Sequence, residues 1–251
     1  MTPGKPAPLV GIVGFGRFGP VLARMLTPAH QVLVYDNADV SRLASDAGVR
    51  AVSWQEVTTA ETIFVAVPIR HFKEAVARLK TAVRPGATVI DVCSVKVYPA
   101  TVMREHFAPE ITTIATHPLF GPDSSREGFS GLKLMMAPVS PRSETFTYWE
   151  RYFKGLELEI LVMTPEEHDR MAAISQGITH FLGRVLEQFG ITPTAIDTEG
   201  FEDLQAVVEQ TCHDTLELFQ DLQNFNPYTM GMVDDLLAAV EQVKQKIQRR
   251  D

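Results

Sequence analysis

Five short apolar runs punctuate the first half of the chain: Leu9–Val13, Gln31–Tyr35, Thr62–Val67, Thr88–Val92 and Ile111–Thr116. Each is nearly continuous in hydrophobicity rather than alternating, the mark of a strand covered on both faces. The stretches between them change period. Phe18–Leu26 carries Val21, Leu22, Met25 and Leu26 at helical spacing, and Phe72–Val83 also reads as helix. Strands that alternate with helices predict a doubly wound parallel sheet, because parallel strands need crossover connections. Two later runs, Leu132–Val139 and Leu156–Val162, are expected to close the same sheet.

At Thr164-Pro165-Glu166-Glu167 the pattern changes. A threonine N-cap, a proline at the first helical position and a glutamate three residues after the cap form a capping box. Met171, Ile174, Ile178, Leu182, Val185 and Phe189 then recur at three- and four-residue steps, predicting one long helix. Phe201–Asn224 and Tyr228–Arg249 read as two further helices. The expected organisation is an α/β domain over 1–164 and an all-α domain over 165–251. A helical domain this small, with apolar residues on more than one face, buries itself poorly. The last helix shows a seam of Met230, Val233, Leu236, Leu237, Val240, Val243 and Ile247. Packing on its own neighbours would explain that seam in part; a homodimer explains its length better.

Composition narrows the classes. The 251 residues are 45% hydrophobic and 22% charged, ordinary values for a globular protein. A net charge of -8 disfavours nucleic-acid binding, which needs clustered Lys and Arg. Cys93 and Cys212 form no disulfide framework and show no metal-ligand spacing, and the histidines include no HxxxH pair, so no metal is expected. Met1–Pro8 lacks the apolar core of a signal peptide and reads as a frayed lead-in. No apolar run approaches the ~20 residues of a membrane span. The expectation is a cytoplasmic protein that binds neither membrane nor nucleic acid.

Directly after the first strand stands Gly14-Phe15-Gly16-Arg17-Phe18-Gly19. The first glycine permits the sharp turn, the second lets a pyrophosphate approach the backbone, and the third lets helix and strand pack closely. The helix that follows offers its N-terminal amides to phosphates. This is the Rossmann fingerprint in its proper setting. Asp36 ends the second strand about 20 residues on, where a carboxylate accepts hydrogen bonds from the adenosine ribose and repels a 2′-phosphate. NAD is therefore expected, with NADP the alternative because Arg17 and Arg42 lie nearby in sequence. Ligands of such sheets sit at the carboxyl ends of strands, which adds Val67, Pro68 and Ser94 to the cofactor-binding set.

Thr116-His117-Pro118-Leu119-Phe120-Gly121-Pro122-Asp123 places a histidine in a proline-bracketed turn after the fifth run. Taken with Asp91-Val92-Cys93-Ser94-Val95-Lys96 and with Glu167-His168-Asp169-Arg170 through Ile178-Thr179-His180-Phe181-Leu182-Gly183-Arg184, it resembles the prephenate/arogenate dehydrogenase family of tyrosine biosynthesis. The likeness runs from Leu9 to the last helix and is greatest to the short, plant-like arogenate dehydrogenases. It implies a catalytic His117 that takes the proton of a ring hydroxyl, with Ser94 hydrogen-bonding near that hydroxyl. It also implies His180 as a substrate contact. Gln176 lies four residues earlier, on the same helix face. Asp214 suits the side-chain ammonium of arogenate, against the plainer reading of a solvated carboxylate. An arginine that many prephenate-specific members carry near the Thr215 position is absent here, and Asp36 is an aspartate that plant-like members, which often use NADP, lack.

Two roles stay open at this level. Lys96 is equally well read as an electrostatic assistant or as half of a structural ion pair. Glu167-His168-Asp169 suits the first turn of a helix and reads as structural first. Three functions compete: oxidative decarboxylation of arogenate or prephenate, a β-hydroxyacid dehydrogenase or imine reductase, and a non-catalytic NAD-sensing dimer. The second usually relies on a helical-domain lysine that is missing from Thr164–Phe189; the third would not keep Ser94, His117 and His180 together.

Overall fold

A computed structural model describes residues 7–141 and 143–248. Most of the Met1–Pro8 lead-in and the last residue of the expected final helix, Arg249, lie outside them. The chain divides into two compact units, Met1–Pro165 and Glu166–Asp251.

Among the described residues the first unit is built on eight strands: β1 (Leu9–Val13), β2 (Gln31–Tyr35), β3 (Arg50–Ala51), β4 (Thr62–Val65), β5 (Thr88–Asp91), β6 (Thr112–Pro118), β7 (Lys133–Pro138) and β8 (Glu159–Val162). They lie in the order β3-β2-β1-β4-β5-β6-β7-β8. All neighbours are parallel except β6 and β7. Six helices connect them: α1 (Gly19–Leu26), α2 (Ser41–Asp46), α3 (Trp54–Val57), α4 (Phe72–Lys80), α5 (Val97–His106) and α6 (Glu144–Gly155). The doubly wound sheet is thus present, and the strand order reverses between β1 and β4, the switch point at which such sheets bind ligands. The short α2, β3 and α3 have too few residues to show a period.

Continuous hydrophobicity in the strands has the expected cause. Thr62–Val65 and Thr88–Asp91 are buried at every position, since helices cover both faces. Val21, Leu22, Met25 and Leu26 of α1 pack into the same core as Phe146, Trp149 and Phe153 of α6. At the amino end of β2, His30 stacks on Trp149, with 5.1 Å between ring centroids, and meets Tyr152 edge-on. Its Nδ1 lies 3.0 Å from the Leu26 carbonyl and its Nε2 2.8 Å from the Tyr148 hydroxyl. A carbonyl only accepts, so Nδ1 carries the proton and Nε2 accepts from Tyr148. Burial lowers the pKa of this imidazole, and burial raises the neighbouring Tyr152 phenol to about 12.

In the second unit α7 (Pro165–Ala172) runs into a π-helical turn, Ala173–Gly177, and on into α8 (Ile178–Phe189). The expected long helix is present with this turn inside it. The expected second helix is two: α9 (Glu199–Cys212) and α10 (Leu216–Asn224). Thr215 restarts the helix as an N-cap, its hydroxyl accepting from the Leu218 amide at 3.2 Å. Asp214, expected inside a helix, therefore sits in the turn between α9 and α10. The last helix, α11, spans Thr229–Gln248. Among the described residues no helix is long and apolar enough to cross a membrane.

Candidate active site

The fingerprint forms the turn from β1 into α1. Gly14 has φ +90°, and a Cβ there would lie 2.7 Å from the Ala66 backbone, so the position tolerates only glycine. Its amide donates to the Tyr35 carbonyl at 2.8 Å. A Cβ on Gly19 would strike the Phe15 ring at 2.6 Å, the close packing that the third glycine serves. Gly16 differs: a Cβ there would meet nothing within 4 Å, so this side of the turn stands open beside the N-terminus of α1. That is the surface a pyrophosphate requires.

Asp36 ends β2, half-buried, and its carboxylate already serves the protein. Oδ2 accepts from the Phe15 amide at 2.7 Å and Oδ1 from the Ala38 amide at 2.9 Å. The acidic residue thus pins the fingerprint turn. Arg17 points to solvent and lies 3.6 Å from Asp123. The loop carrying Asp123 is fastened to α1: Arg24 donates to the Ser125 carbonyl and hydroxyl and lies over the Phe129 ring. Phe15 is buried, while half-buried Phe18 faces the Phe120 ring. Val67 is half-buried and Pro68 exposed, both just beyond β4.

His117 is not in a turn. β6 continues through it to Pro118, because antiparallel β7 pairs with this end of the strand, placing His117 opposite Met135. A strand residue is held more rigidly than a loop residue, and His117 is 5% exposed. Ser94 lies in the bend after β5, half-buried. Gly14, Asp36, Val67, Ser94 and His117 consequently share one edge of the sheet, the carboxyl ends of its parallel strands.

Between Ser94 and His117 the structure places Lys96 in a buried ion pair. Its ammonium and the Asp91 carboxylate are both 0% exposed and in direct contact. The ammonium also donates to the Thr116 carbonyl at 2.5 Å. Asp91 Oδ1 accepts from the Cys93 amide at 2.9 Å, and Thr116 Oγ1 donates to the Asp91 carbonyl at 2.6 Å. Burial pushes the Asp91 carboxyl up, against the pull of Lys96. The pair ties the β5 bend to the end of β6 through Cys93 and Thr116, the neighbours of Ser94 and His117. This brace was visible in the sequence only as residues within a motif; the spacing gave no pairing.

In the helical unit, Gln176 and His180 lie four residues apart across the π turn and α8. Gln176 Oε1 and His180 Nδ1 are buried without a hydrogen-bond partner. Buried polar atoms are normally paired, so these two are exceptions. Burial lowers the His180 pKa, while the Asp214 carboxylate nearby pulls it upward. Gln223 donates from Nε2 to the Gly177 carbonyl of the π turn at 3.1 Å; π turns occur often at functional sites. Arg184 pairs with Glu187 at 3.0 Å and also donates to the Asp214 backbone carbonyl at 2.5 Å. His168 and Asp169 are buried and bonded to each other at 2.8 Å, and Asn226 donates to the Asp169 carbonyl at 2.8 Å. Among the described residues no group of three or more His, Cys, Asp or Glu side chains could hold a metal.

A fingerprint turn at the switch point of a doubly wound sheet, with a buried histidine on the same edge, defines the class: a nucleotide-binding oxidoreductase. Residues 22–162 match the prephenate dehydrogenase nucleotide-binding domain model, and the chain belongs to the prephenate dehydrogenase family. Residues 185–251 match a second model, described as TYRAAT1-like, C-terminal domain. Among curated relatives, arogenate dehydrogenase 1, chloroplastic, of Arabidopsis thaliana is 30% identical over 250 residues, spanning 95% of this chain and 39% of that protein. Arogenate dehydrogenase 2, chloroplastic, of the same plant is 28% identical over 259 residues, spanning 95% of this chain and 69% of the relative. In fold the chain is similar to prephenate dehydrogenase from A. aeolicus, solved with hydroxyphenyl propionate and NAD+. That likeness has a TM-score of 0.79 and 19% identity, covering 99% of this chain and 93% of the other. Synechocystis arogenate dehydrogenase is similar at a TM-score of 0.73 and 21% identity, covering 96% and 92%.

Proposed function

We propose that the protein is an NAD-dependent arogenate dehydrogenase, which oxidises arogenate and releases CO₂ to give tyrosine. The observation that carries this reading is His117, locked in β6 on the sheet edge that bears the Gly14–Gly19 turn. NAD, when bound, accepts the hydride from the ring carbon that bears the hydroxyl. The chain's residues supply the rest. The open backbone at Gly16 and the N-terminus of α1 receive the pyrophosphate, Asp36 accepts from the ribose, and Arg17, Phe18, Val67 and Pro68 border the dinucleotide. Ser94 hydrogen-bonds the reacting hydroxyl and His117 Nε2 or Nδ1 takes its proton, a role suited to a neutral imidazole. Loss of the ring carboxylate as CO₂ then aromatises the ring and makes the step irreversible.

Gln176, His180 and Asp214 are assigned to the substrate's remaining polar groups. Asp214 favours arogenate, whose side chain carries an ammonium, over prephenate, whose pyruvyl group carries none. Two Arabidopsis relatives named arogenate dehydrogenases support the same choice. Prephenate oxidation to 4-hydroxyphenylpyruvate is the second reading, favoured by the name of the matching nucleotide-binding domain. We further infer a homodimer and a cytoplasmic setting. His117→Asn tests the assignment of the base: substrate and cofactor should still bind while turnover falls by about 10²–10⁴-fold. Near wild-type turnover would refute it.

A further inference from the structure

Between α7 and α8 the π turn Ala173–Gly177 widens the helix by one residue. Such a turn disturbs the regular ladder, and side chains meet the carbonyls around it. Ser175 Oγ donates to the Met171 carbonyl and Thr179 Oγ1 to the Ser175 carbonyl, each at 2.9 Å. Two further donors come from the corner where α10 meets α11. Asn226 Nδ2 donates to the Asp169 carbonyl at 2.8 Å, before the turn, and Gln223 Nε2 to the Gly177 carbonyl at 3.1 Å, at its last residue. A carbonyl only accepts, so the amide nitrogen of Gln223 is the atom that faces Gly177. The corner itself is stiff. Gln223, Asn226 and Thr229 are all buried, and Thr229 Oγ1 donates to the Gln223 and Asn226 carbonyls. The Tyr228 ring lies 5.1 Å from the Arg170 guanidinium carbon, and a Cβ on Gly177 would lie 3.1 Å from Met232 Cε. Buried polar side chains are costly unless their bonds are needed, and here they grip the helix on both sides of its π turn.

We propose that Gln223 is a positioning residue for substrate binding: by carrying the Gly177 carbonyl it holds the helix in its π form, and so fixes where Gln176, inside the turn, and His180, just beyond it, stand. This rests on the reading that His180 contacts the substrate. Reversion of the segment to a plain α-helix would turn His180 by about 100° around the axis relative to α7, the rotation of one residue. Without Gln223 the Gly177 carbonyl loses its side-chain donor in a buried place, and the π form loses the bond that favours it over the α form.

The test measures kcat, KM and Tm with arogenate and NAD for wild type, Gln223→Met, His180→Gln and the double variant. Gln223→Met keeps the length of the side chain and removes the donor. It should raise KM for arogenate about tenfold, the effect of one buried hydrogen bond, with kcat falling less. KM for NAD, whose fingerprint lies in the other unit, should stay near the wild-type value. The double variant should raise KM for arogenate by less than the two single effects multiplied, because both act at one site. A Gln223→Met enzyme with lowered Tm and wild-type KM for arogenate would make Gln223 merely structural and overturn the proposal. If His180→Gln itself leaves that KM unmoved, the reading of His180 fails and takes the proposal with it. Should Gln223→Met not fold, Gln223→Glu supplies a second measurement. Its carboxyl has the same shape and donates only while protonated, so its KM relative to wild type should recover as the pH is lowered from about 8 to about 5. A ratio that stays constant over that range would equally overturn the proposal.

Discussion

On the proposed reading Asp36 serves two purposes at once, and its substitution should show both. Asp36→Ser removes the charge that disfavours a 2′-phosphate, so the preference for NAD over NADP should shrink. It also removes the acceptor of the Phe15 amide, so KM for NAD should rise by about tenfold or more, given ~1.5–3 kcal/mol for a hydrogen bond to a charged group. Initial rates with each dinucleotide check this; a wild-type enzyme that prefers NADP would contradict the role given to Asp36. His30 offers a second residue-scale test. Its pKa is lowered by burial from 6.5, so the neutral form stabilises the fold above about pH 6.5, and that contribution is lost as the pH falls through the lowered value. His30→Gln should therefore flatten the fall of Tm with acidification below about pH 6.5. An unchanged slope would show that another group governs acid stability.

Elements explain what the sequence could and could not reveal. The β1–α1 turn was legible because its glycines answer local steric demands, as the +90° φ of Gly14 illustrates. The β strands were legible because burial on both faces leaves continuous apolar runs. The extension of β6 through His117 was not, since it depends on an antiparallel partner some twenty residues later and not on the strand's own residues. The break after Cys212 was missed because Thr215 reads equally well inside a helix or as its cap. Nor does any local signal pair Lys96 with Asp91 and the Thr116 carbonyl. That brace is the element-scale device holding Ser94 and His117. Lys96→Met leaves a buried carboxylate without its counter-charge, a change that costs about 3–5 kcal/mol. Chemical denaturation should show that loss, and a stability within 1 kcal/mol, roughly the worth of an exposed pair, would mean the pair contributes little.

On the scale of the molecule, α11 keeps an unburied apolar row. Leu237, Val240, Val243 and Ile247 are each more than half exposed, which a monomer in water would pay for in solubility. The homodimer reading predicts twice the chain mass by light scattering at micromolar concentration. Val240→Glu with Val243→Glu should shift that mass toward the monomer. A fully active wild-type monomer would contradict the reading. The two-unit organisation was visible in the sequence as a change of period at Thr164, whereas the orphan polar atoms of Gln176 and His180 emerge only once the helices are packed.

The central claim is the proposed function, a dehydrogenase that prefers arogenate to prephenate. Formation of NADH, followed by absorbance with purified protein and arogenate or prephenate at matched concentrations, tests it most directly. The account predicts NADH from both or from arogenate alone, with a higher kcat/KM for arogenate. A higher kcat/KM for prephenate would contradict the role of Asp214, and no NADH from either substrate would contradict the dehydrogenase itself.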